Sequence, residues 1–369
     1  MSDTPEPPVL HREFFGFAVV LPQMSDPLSL RGVELFDGER VSDRRCDVLV
    51  KDGRIVSIDP AGTHAAAVGA AVRVKEGGAV LPGIVDAHVH VSLSTPDAIV
   101  AGGVTAALDL GAPIDGAFAP HPPLRMRAAG PLLTAAGGYP TRSWGAGGYG
   151  LELAGESNAR EAVAMLADRG AAMIKVALTD DPALDDAVLA AVAAAARGRG
   201  LRVAAHALGI ANVRTAVEAG IDVLAHTPVE PLPDDLIAAL AMRGVTVIST
   251  VRAFGGAPAT RANLRALAAA GCEIVYGTDL GNDGIEPGVD AEELSIVADA
   301  LGGALGGVEP ALRAATSRAA ALAGFPPARV REGERANIIV CDGLDFALLG
   351  RPSLVLVDGK EFGFDERPG

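Results

Sequence analysis

The chain has 369 residues, enough for two or three ordinary domains or for one barrel of roughly 250 residues with an appendage. With 49% hydrophobic, 21% charged and only 4% aromatic residues, it is too apolar to be disordered, and small aliphatic side chains must fill its core. The net charge of −15 argues against nucleic acid and anionic membrane surfaces as partners.

The cysteines and the N-terminus predict a cytoplasmic protein. Cys46, Cys272 and Cys341 are widely separated and form no CxxC pair, which favours a reducing compartment. The first residues are acidic and proline-rich, whereas a secretion signal would carry a basic stretch followed by an apolar one. No uncharged apolar run reaches the roughly 18 residues that a membrane-spanning helix needs, so we expect no membrane partner.

The two ends of the chain share a pattern of short strands and tight turns. Asp52-Gly53 separates two β-rich runs near the N-terminus, and Asp358-Gly359 does the same near the C-terminus. Asp-Gly supplies the positive φ of a hairpin turn. We therefore predict two hairpins, and we expect both ends to meet in one small sheet domain.

Between about residues 80 and 325 the pattern changes to short apolar strands that alternate with Ala-rich helices. This alternation is typical of βα units around a parallel sheet. The eight strand candidates are AVLPGIVDAHVH, VTAALDLG, PLLTAAGG, AAMIKVAL, LRVAAHA, DVLAHT, VTVISTV and EIVYGTDL. Continuous β-rich runs favour a closed α/β barrel of the TIM type. An open doubly wound sheet is the alternative, but no GxGxxG follows the first strand.

The first core strand ends in DAHVH, which contains His88 and His90. Alternate residues of a strand share a face, so both imidazoles point the same way and can bind one metal ion. Taken alone, such a pair also arises by chance, and buried histidines often only satisfy a hydrogen bond.

Further ionisable residues lie near the ends of other predicted strands, where TIM-type barrels build their active sites. They are His206, His226, Lys175 and Asp279. Individually, Lys175 could be an ion-paired lysine and Asp279 a turn residue. Together with the first histidine pair they indicate a metal site, and nitrogen and oxygen ligands without thiolates fit zinc by default, or manganese, nickel or iron. Six candidate ligands exceed the needs of one ion, so we expect two.

These motifs resemble the amidohydrolase superfamily, and within it the binuclear imidazolonepropionase-like and prolidase-like metal hydrolases. The motifs that carry the resemblance are LPGIVDAHVH, GVTAALDLG, MIKVAL, AAHALGIANVRTAVEAGIDVLAHT, YGTDLG, ATSRAAALAGF and GERANIIV. The resemblance implies that His88 and His90 bind the first metal and that Asp279 completes its site. It also implies that Lys175, as a CO2-derived carbamate, bridges both metals, and that His206 and His226 bind the second.

The predicted domain organisation combines the turn pattern with this resemblance. It consists of an N-terminal extension over 1–27, a discontinuous β-sandwich over 28–82 and 327–369, and a (β/α)8 barrel over 83–326. Within the extension, HREFFGFAVVLP is interpreted as an edge strand or an interface segment.

The expected activity is hydrolysis of an amide or peptide C–N bond by a metal-bridging hydroxide, with Asp279 as general base and then general acid. Deamination, or hydrolysis of a cyclic amide or imide, is the alternative activity, and a non-catalytic barrel scaffold is the alternative of another class. The composition is also similar to that of relatives that remove a follower peptide during bottromycin maturation. Peptide natural-product maturation is therefore the narrower hypothesis.

Substrate contacts cannot be copied from the resemblance, because the sequence has GGYP after the third strand where relatives often have GGH. By topology, Tyr139, Arg142 and Trp144 follow strand three and Arg252 follows strand seven, so we list them as candidate contacts to a small-molecule or peptide substrate. Arg252 would pair with a substrate carboxylate. A surface arginine or a rim aromatic is an equally good interpretation of each. The sequence leaves a homo-oligomer open.

Overall fold

Two β-rich ends flank an alternating α/β middle in the computed structural model, which describes residues 19–20, 27–65, 72–180, 182–302 and 307–363. In chain order the strands are β1 (Val19–Val20), β2 (Leu28–Leu35), β3 (Cys46–Lys51), β4 (Arg54–Pro60), β5 (Arg73–Glu76), β6 (Ala79–Pro82), β7 (Ile84–Val89), β8 (Val104–Asp109), β9 (Arg125–Ala128), β10 (Leu132–Ala135), β11 (Gly150–Leu153), β12 (Ile174–Ala177), β13 (Val203–His206), β14 (Val223–Leu224), β15 (Thr246–Ile248), β16 (Glu273–Val275), β17 (Ile338–Cys341), β18 (Leu354–Val357) and β19 (Lys360–Gly363).

The helices lie mainly between the strands of the middle region. They are α1 (Pro96–Ala101), α2 (Ile114–Ala117), α3 (Glu156–Asp168), α4 (Asp186–Gly198), α5 (Ile210–Ala219), α6 (Asp234–Met242), α7 (Pro258–Ala270), α8 (Ala291–Ala300), α9 (Glu309–Ala314), α10 (Ser317–Ala323) and α11 (Phe346–Leu349). Of the helices in the described ranges, none has both the length and the apolar character needed to cross a membrane.

Strands from both ends of the chain form one sheet, in the order β1-β19-β18-β17-β6-β2-β3-β4, with β5 beside β2. β6 pairs with the C-terminal strand β17, which joins the two ends. β2 connects the strands on either side of it in this sheet, because its last residues pair with β6 and its earlier ones pair with β3. The described strands of the two chain ends are thus hydrogen-bonded into a single sheet. Their pairing does not show the two separate layers of the predicted sandwich.

Both predicted hairpins are confirmed. β3 pairs antiparallel with β4 around Asp52 and Gly53, whose φ values are 51° and 73°. β18 pairs antiparallel with β19 around Asp358 and Gly359, at 49° and 77°. Two successive positive φ angles are those of the type I′ turn, which explains why Asp-Gly stands at both positions.

The N-terminal extension is described only at Val19–Val20, which pairs antiparallel with Phe362 and Gly363 at the edge of the terminal sheet. The predicted edge strand is confirmed for these two residues. The rest of the predicted extension, apart from Pro27, lies outside the described residues.

The middle of the chain is an α/β structure with parallel strands, as predicted. Seven strands pair in the order β11-β10-β12-β13-β14-β15-β16, and β7, β8 and β9 form a second parallel sheet. Backbone hydrogen bonds bridge the two sheets, among them Asp279 N to His88 O at 2.8 Å and Ala172 N to Ala128 O at 2.8 Å.

Strand pairing among the described residues does not form the single closed ring that the sequence predicted. The predicted third strand, PLLTAAGG, is β10, which pairs with β12, whereas β8 pairs with β9, a strand that was not predicted. Gly130 and Pro131 lie between β9 and β10, and proline has no N–H to continue a ladder. On the other side, β16 ends at Val275, and irregular backbone runs from there alongside β7.

Small and branched side chains fill the space between the strands. Val85, Ala106, Met173, Ala204 and Val223 belong to one buried cluster inside the parallel strands. A second cluster packs the outer strand faces against the helices. The low aromatic content therefore matches a core in which strands approach closely.

Candidate metal centre

The six predicted ligands come together at the carboxyl ends of the parallel strands. His88 lies on β7 and His90 directly follows it, Lys175 lies on β12, His206 ends β13, His226 follows β14 and Asp279 follows β16. Each is at most 7% exposed. Burying so many ionisable groups costs free energy unless they are paired or bind metal.

The two histidines at the end of β7 both direct Nε2 toward the Asp279 carboxylate. His88 Nδ1 lies 3.0 Å from Ala225 O, and His90 Nδ1 lies 2.8 Å from Gly111 O. Each Nδ1 therefore carries the proton that the carbonyl accepts, which leaves a lone pair on Nε2. Both Nε2 atoms lie 3.2 Å from Asp279 Oδ1.

Asp279 is held in an unusual conformation with a polar atom that lacks a partner. Its φ is 58°, in the left-handed region, and its N–H donates to His88 O. Its buried Oδ1 makes no hydrogen bond to any described residue. Lone pairs on Oδ1 and on two Nε2 atoms thus face one another, an arrangement that a cation would satisfy.

Ligand atoms of His88, His90 and Asp279 all lie within 4.8 Å of one another. Burial acts to raise the pKa of Asp279, but the neighbouring His88, His226 and His90 bring it well below its usual value. Burial lowers the pKa of His88 well below its usual value. Burial also acts to lower the pKa of His90, but its contact with Asp279 raises it. An ionised carboxylate and neutral imidazoles are the forms that bind a divalent metal.

Lys175 lies against this group. Its side chain is 1% exposed, and its Nζ lies 3.4 Å from His88 Nε2. Burial lowers the pKa of Lys175 to about 7, although Asp279 and Asp109 oppose the shift. A large share of the amine is therefore neutral near pH 7, and a neutral amine is a nucleophile.

His206 and His226 form a second pair. His206 Nδ1 lies 3.0 Å from His226 Nε2, and burial lowers the pKa of His206 to about 3 and that of His226 well below its usual value. Two nitrogens that bind one ion at about 2.0–2.1 Å would lie roughly 3 Å apart, which is close to the separation of these two atoms. His226 Nδ1 also lies 3.1 Å from the hydroxyl of Thr250.

Several residues that support the ligands were not predicted. Asp86 accepts hydrogen bonds from the backbone N–H groups of His88 and Thr278 and from the Thr278 hydroxyl, the last at 2.6 Å. Burial raises its pKa to about 7. A signal was present in the sequence, because Asp86 stands two residues before His88 and so shares its strand face.

Asp109, at the end of β8, is a second buried carboxylate near the ligands. Its oxygens accept from Val91 N and Gly111 N, both at 2.9 Å, and burial raises its pKa. These bonds fix the backbone at Val91, which follows His90, and at Gly111, whose carbonyl accepts from His90 Nδ1. Like Asp279, Asp109 stands at the end of an apolar strand, and this position was the signal in the sequence.

A cavity of about 290 Å³ opens above the six ligands. Beyond them, its lining includes Leu93, Leu132, Tyr139, Trp144, Asn282 and Asp283. Two of the four candidate substrate contacts thus line it. The Tyr139 ring stacks on His206 with centroids 4.7 Å apart, and the Trp144 ring lies 5.1 Å from that of His90.

The other two candidate contacts are not among the lining residues. Arg252 forms ion pairs with Asp290 and Glu292. Arg142 is exposed, and its guanidinium lies over Gly137.

Parallel strands that bring a histidine-rich cluster to their carboxyl ends define a metal-dependent hydrolase of the TIM-barrel type. The model of the amidohydrolase family matches residues 79–362. The chain belongs to this family, which makes it a hydrolase that acts on carbon–nitrogen bonds. The family predicted from the sequence motifs is confirmed.

The chain is also similar to known proteins over most of its length. The uncharacterized protein Rv2915c of Mycobacterium tuberculosis is 30% identical over 313 residues, 73% of this chain and 78% of the relative. The crystal structure of a Xaa-Pro dipeptidase with bound methionine has a TM-score of 0.74 at 19% identity and covers 91% of this chain and all of that one. The structure of a prolidase complexed with N-methylphosphonate-L-proline has a TM-score of 0.72 at 21% identity, with 92% and 100% covered.

Proposed function

We propose that this protein hydrolyses an amide or peptide C–N bond at a centre of two divalent metal ions, zinc being the ion that best fits nitrogen and oxygen donors without thiolates. The observation that carries the proposal is the convergence of lone pairs from His88 Nε2, His90 Nε2 and Asp279 Oδ1, with no described donor to satisfy the oxygen. In this proposal these three residues hold one ion, and His206 and His226 hold the other.

Lys175 is the residue that would link the two halves of the centre. Its neutral amine adds to CO2, which forms an N–C bond and releases one proton, and the product is an anionic carbamate with two oxygens. Its contact with His88 and its complete burial support this role. When bound, the two ions would supply activation of a water molecule and polarisation of the amide carbonyl.

The protein's own residues would move the proton and shape the site. In our proposal Asp279 takes a proton from the attacking water at Oδ2 and delivers it to the departing nitrogen. Asp86 and Thr278 fix the backbone on both sides of the site through their hydrogen bonds. Tyr139 and Trp144 line the cavity and would shape the space that the substrate occupies.

The test compares metal content and hydrolysis in matched variants. We expect the zinc-loaded protein to bind about two equivalents and to hydrolyse members of a panel of dipeptides, N-acyl amino acids and cyclic amides. Lys175→Ala should lose both, whereas Lys51→Ala, which changes an exposed lysine of the terminal sheet, should lose neither. A Lys175→Ala protein that retains two ions and full activity would contradict the proposal.

The substrate panel also separates the narrower hypotheses. Activity on small cyclic amides alone would select the cyclic-amide alternative, and activity on peptides is required for follower-peptide removal, which stays a prediction. We further propose a cytoplasmic location, in agreement with the free thiols of Cys46, Cys272 and Cys341.

The domain boundary at residue 83 is likewise a proposal. It is supported by strand pairing, since Ala79–Pro82 pairs with β17 of the terminal sheet and Ile84–Val89 pairs with β8 of the parallel region.

A further inference from the structure

The mouth of the cavity offers hydrogen-bond acceptors. Asp283 lines the cavity, is exposed, and forms no ion pair with a described residue. Its neighbour Asn282 donates its amide Nδ2 to Asp279 O at 2.8 Å. This bond leaves the amide oxygen of Asn282 able to accept a further hydrogen bond.

Aromatic and apolar side chains also line the cavity. Trp144 donates its indole N–H to the Tyr139 hydroxyl at 2.9 Å, so its remaining interaction surface is the ring. The Trp144 ring contacts that of Tyr149 edge to face, at 5.1 Å between centroids. Trp144 is 42% exposed and Leu93 46% exposed, an unusual degree for large apolar side chains of this chain.

Among the described residues, no lysine or arginine lines the mouth of the cavity. Lys175 is the only lysine or arginine among the described lining residues, and it is buried at the floor against His88. Arg252 is committed to Asp290 and Glu292, and Arg142 lies over Gly137. A substrate carboxylate at the mouth would therefore meet the Asp283 charge without a compensating cation, whereas the net charge of −15 attracts cations over a longer range.

We propose that the substrate is an amide that carries a protonated amine on an apolar or aromatic group, with the ammonium bound at the mouth by Asp283 and Asn282. An ammonium has three donors and no acceptor, which matches two neighbouring acceptors, and the face of an aromatic ring attracts a cation. This inference rests on the proposed function, because it assumes that the amide itself is hydrolysed at the floor of the cavity.

Trp144 supplies a readout of binding that does not depend on hydrolysis, because it is the only tryptophan of the chain. We would titrate the zinc-loaded full chain with three N-acetylanilides that differ only in the para group, which is aminomethyl, methyl or carboxylate. Quenching of Trp144 fluorescence gives each Kd. The aminomethyl compound should bind most tightly.

Asp283→Asn should weaken binding of the aminomethyl compound about two- to five-fold, the range of an exposed ion pair, and leave the methyl compound unchanged. Asp283→Lys should make the carboxylate compound the tighter ligand. The matched control is Asp43→Asn, which removes the same charge from an exposed loop between β2 and β3, and it should change no ratio.

The inference is overturned if the carboxylate compound binds most tightly to the wild-type protein, if Asp283→Asn and Asp43→Asn behave alike, or if none of the three compounds binds. Loss of a carboxylate preference in Arg142→Ala would then assign recognition to Arg142. Hydrolysis of the anilides is measured separately. Selective amine binding without hydrolysis of any amide would place only the proposed function in doubt, and hydrolysis without amine preference would overturn only this inference.

Discussion

Two groups of histidine and aspartate side chains lie in different parts of the chain, and they differ in what their polar atoms contact. In the terminal sheet, His64 Nε2 lies 2.9 Å from Asp59 Oδ2, His64 Nδ1 lies 3.3 Å from Ser29 Oγ, and His64 N donates to Asp47 Oδ2. We call these four residues the sheet cluster. In the metal centre, Asp279 Oδ1 faces two imidazole lone pairs and no donor.

The difference shows that residue type alone does not define a site. The sheet cluster satisfies its ring nitrogens internally, and its hydrogen bonds fasten the segment around His64 to β3 and β4. The metal centre keeps an unsatisfied acceptor at the floor of a cavity. We therefore expect changes in the sheet cluster to alter stability, and changes in the metal centre to alter metal binding and catalysis.

The largest effect is expected for Asp279→Asn. The amide can neither take up a proton nor provide an anionic ligand, so kcat should fall about 10²- to 10⁴-fold. Asp59→Asn, which changes the carboxylate that contacts His64, is the matched control and should leave kcat unchanged. Steady-state rates on any hydrolysed amide test this, and equal rates in the two variants would refute the assigned role of Asp279.

A smaller loss is expected for Glu293→Gln. Glu293 is fully buried on α8 and accepts hydrogen bonds from Val251 N and Arg252 N, which hold the turn that carries Phe254 against the His226 ring. Misplacement of this turn should lower kcat by up to about 10²-fold.

The control for Glu293→Gln is Glu292→Gln on the same helix, whose exposed ion pairs should contribute at most about 1 kcal/mol. A retained kcat in Glu293→Gln with lowered thermal stability would show that Glu293 has a structural role only.

His64→Ala should affect stability and leave activity intact. It leaves Asp59 and Ser29 without their imidazole partner, and we expect the free energy of unfolding to fall by about 1–3 kcal/mol. Urea denaturation measures the change, and kcat measured alongside should be that of the wild type. A loss of metal or activity without a loss of stability would contradict the assignment of a purely structural role to the sheet cluster.

The smallest effect is the acid dependence of the sheet cluster. Burial acts to raise the pKa of Asp47, but the N–H groups of His64, Gly32 and Gly62 hold it below its ordinary value of 3.8. A lowered folded-state pKa stabilises the protein above pH 3.8 and ceases to do so as the pH falls through the folded-state value.

The difference in unfolding free energy between the wild type and Asp47→Asn should therefore shrink below about pH 3.8. Urea titrations from pH 6 to pH 2 check this, and a difference that is constant with pH would contradict it.

The sequence predicted which six residues converge at the strand ends because strand alternation and strand ends are local properties. His88 and His90 share a face through the period of two, and Asp279 follows an apolar run. Asp86 obeys the same period but was not predicted, because an aspartate before a histidine pair does not by itself indicate a supporting hydrogen bond. Thr250 could not be predicted, because its contact with His226 depends on a positive φ of 41° that nothing in its residue type indicates.

Long-range partners explain where the predictions failed. Arg252 follows β15 as predicted, but acidic residues about 40 positions later, on and before α8, bind its guanidinium. The predicted ring of paired strands is interrupted near Pro131 and after Val275, where neighbouring strands lack continuous pairing. Both outcomes depend on segments that are distant in sequence, whereas the hairpins at Asp52 and Asp358 depend on two adjacent residues.

Anomalous diffraction from a zinc-soaked crystal tests the central claim most directly. We predict a strong peak between His88 Nε2, His90 Nε2 and Asp279 Oδ1, a second beside His206 and His226, and none at His64. A zinc peak at His64 or at a cysteine, with no density among the strand-end histidines, would contradict the account.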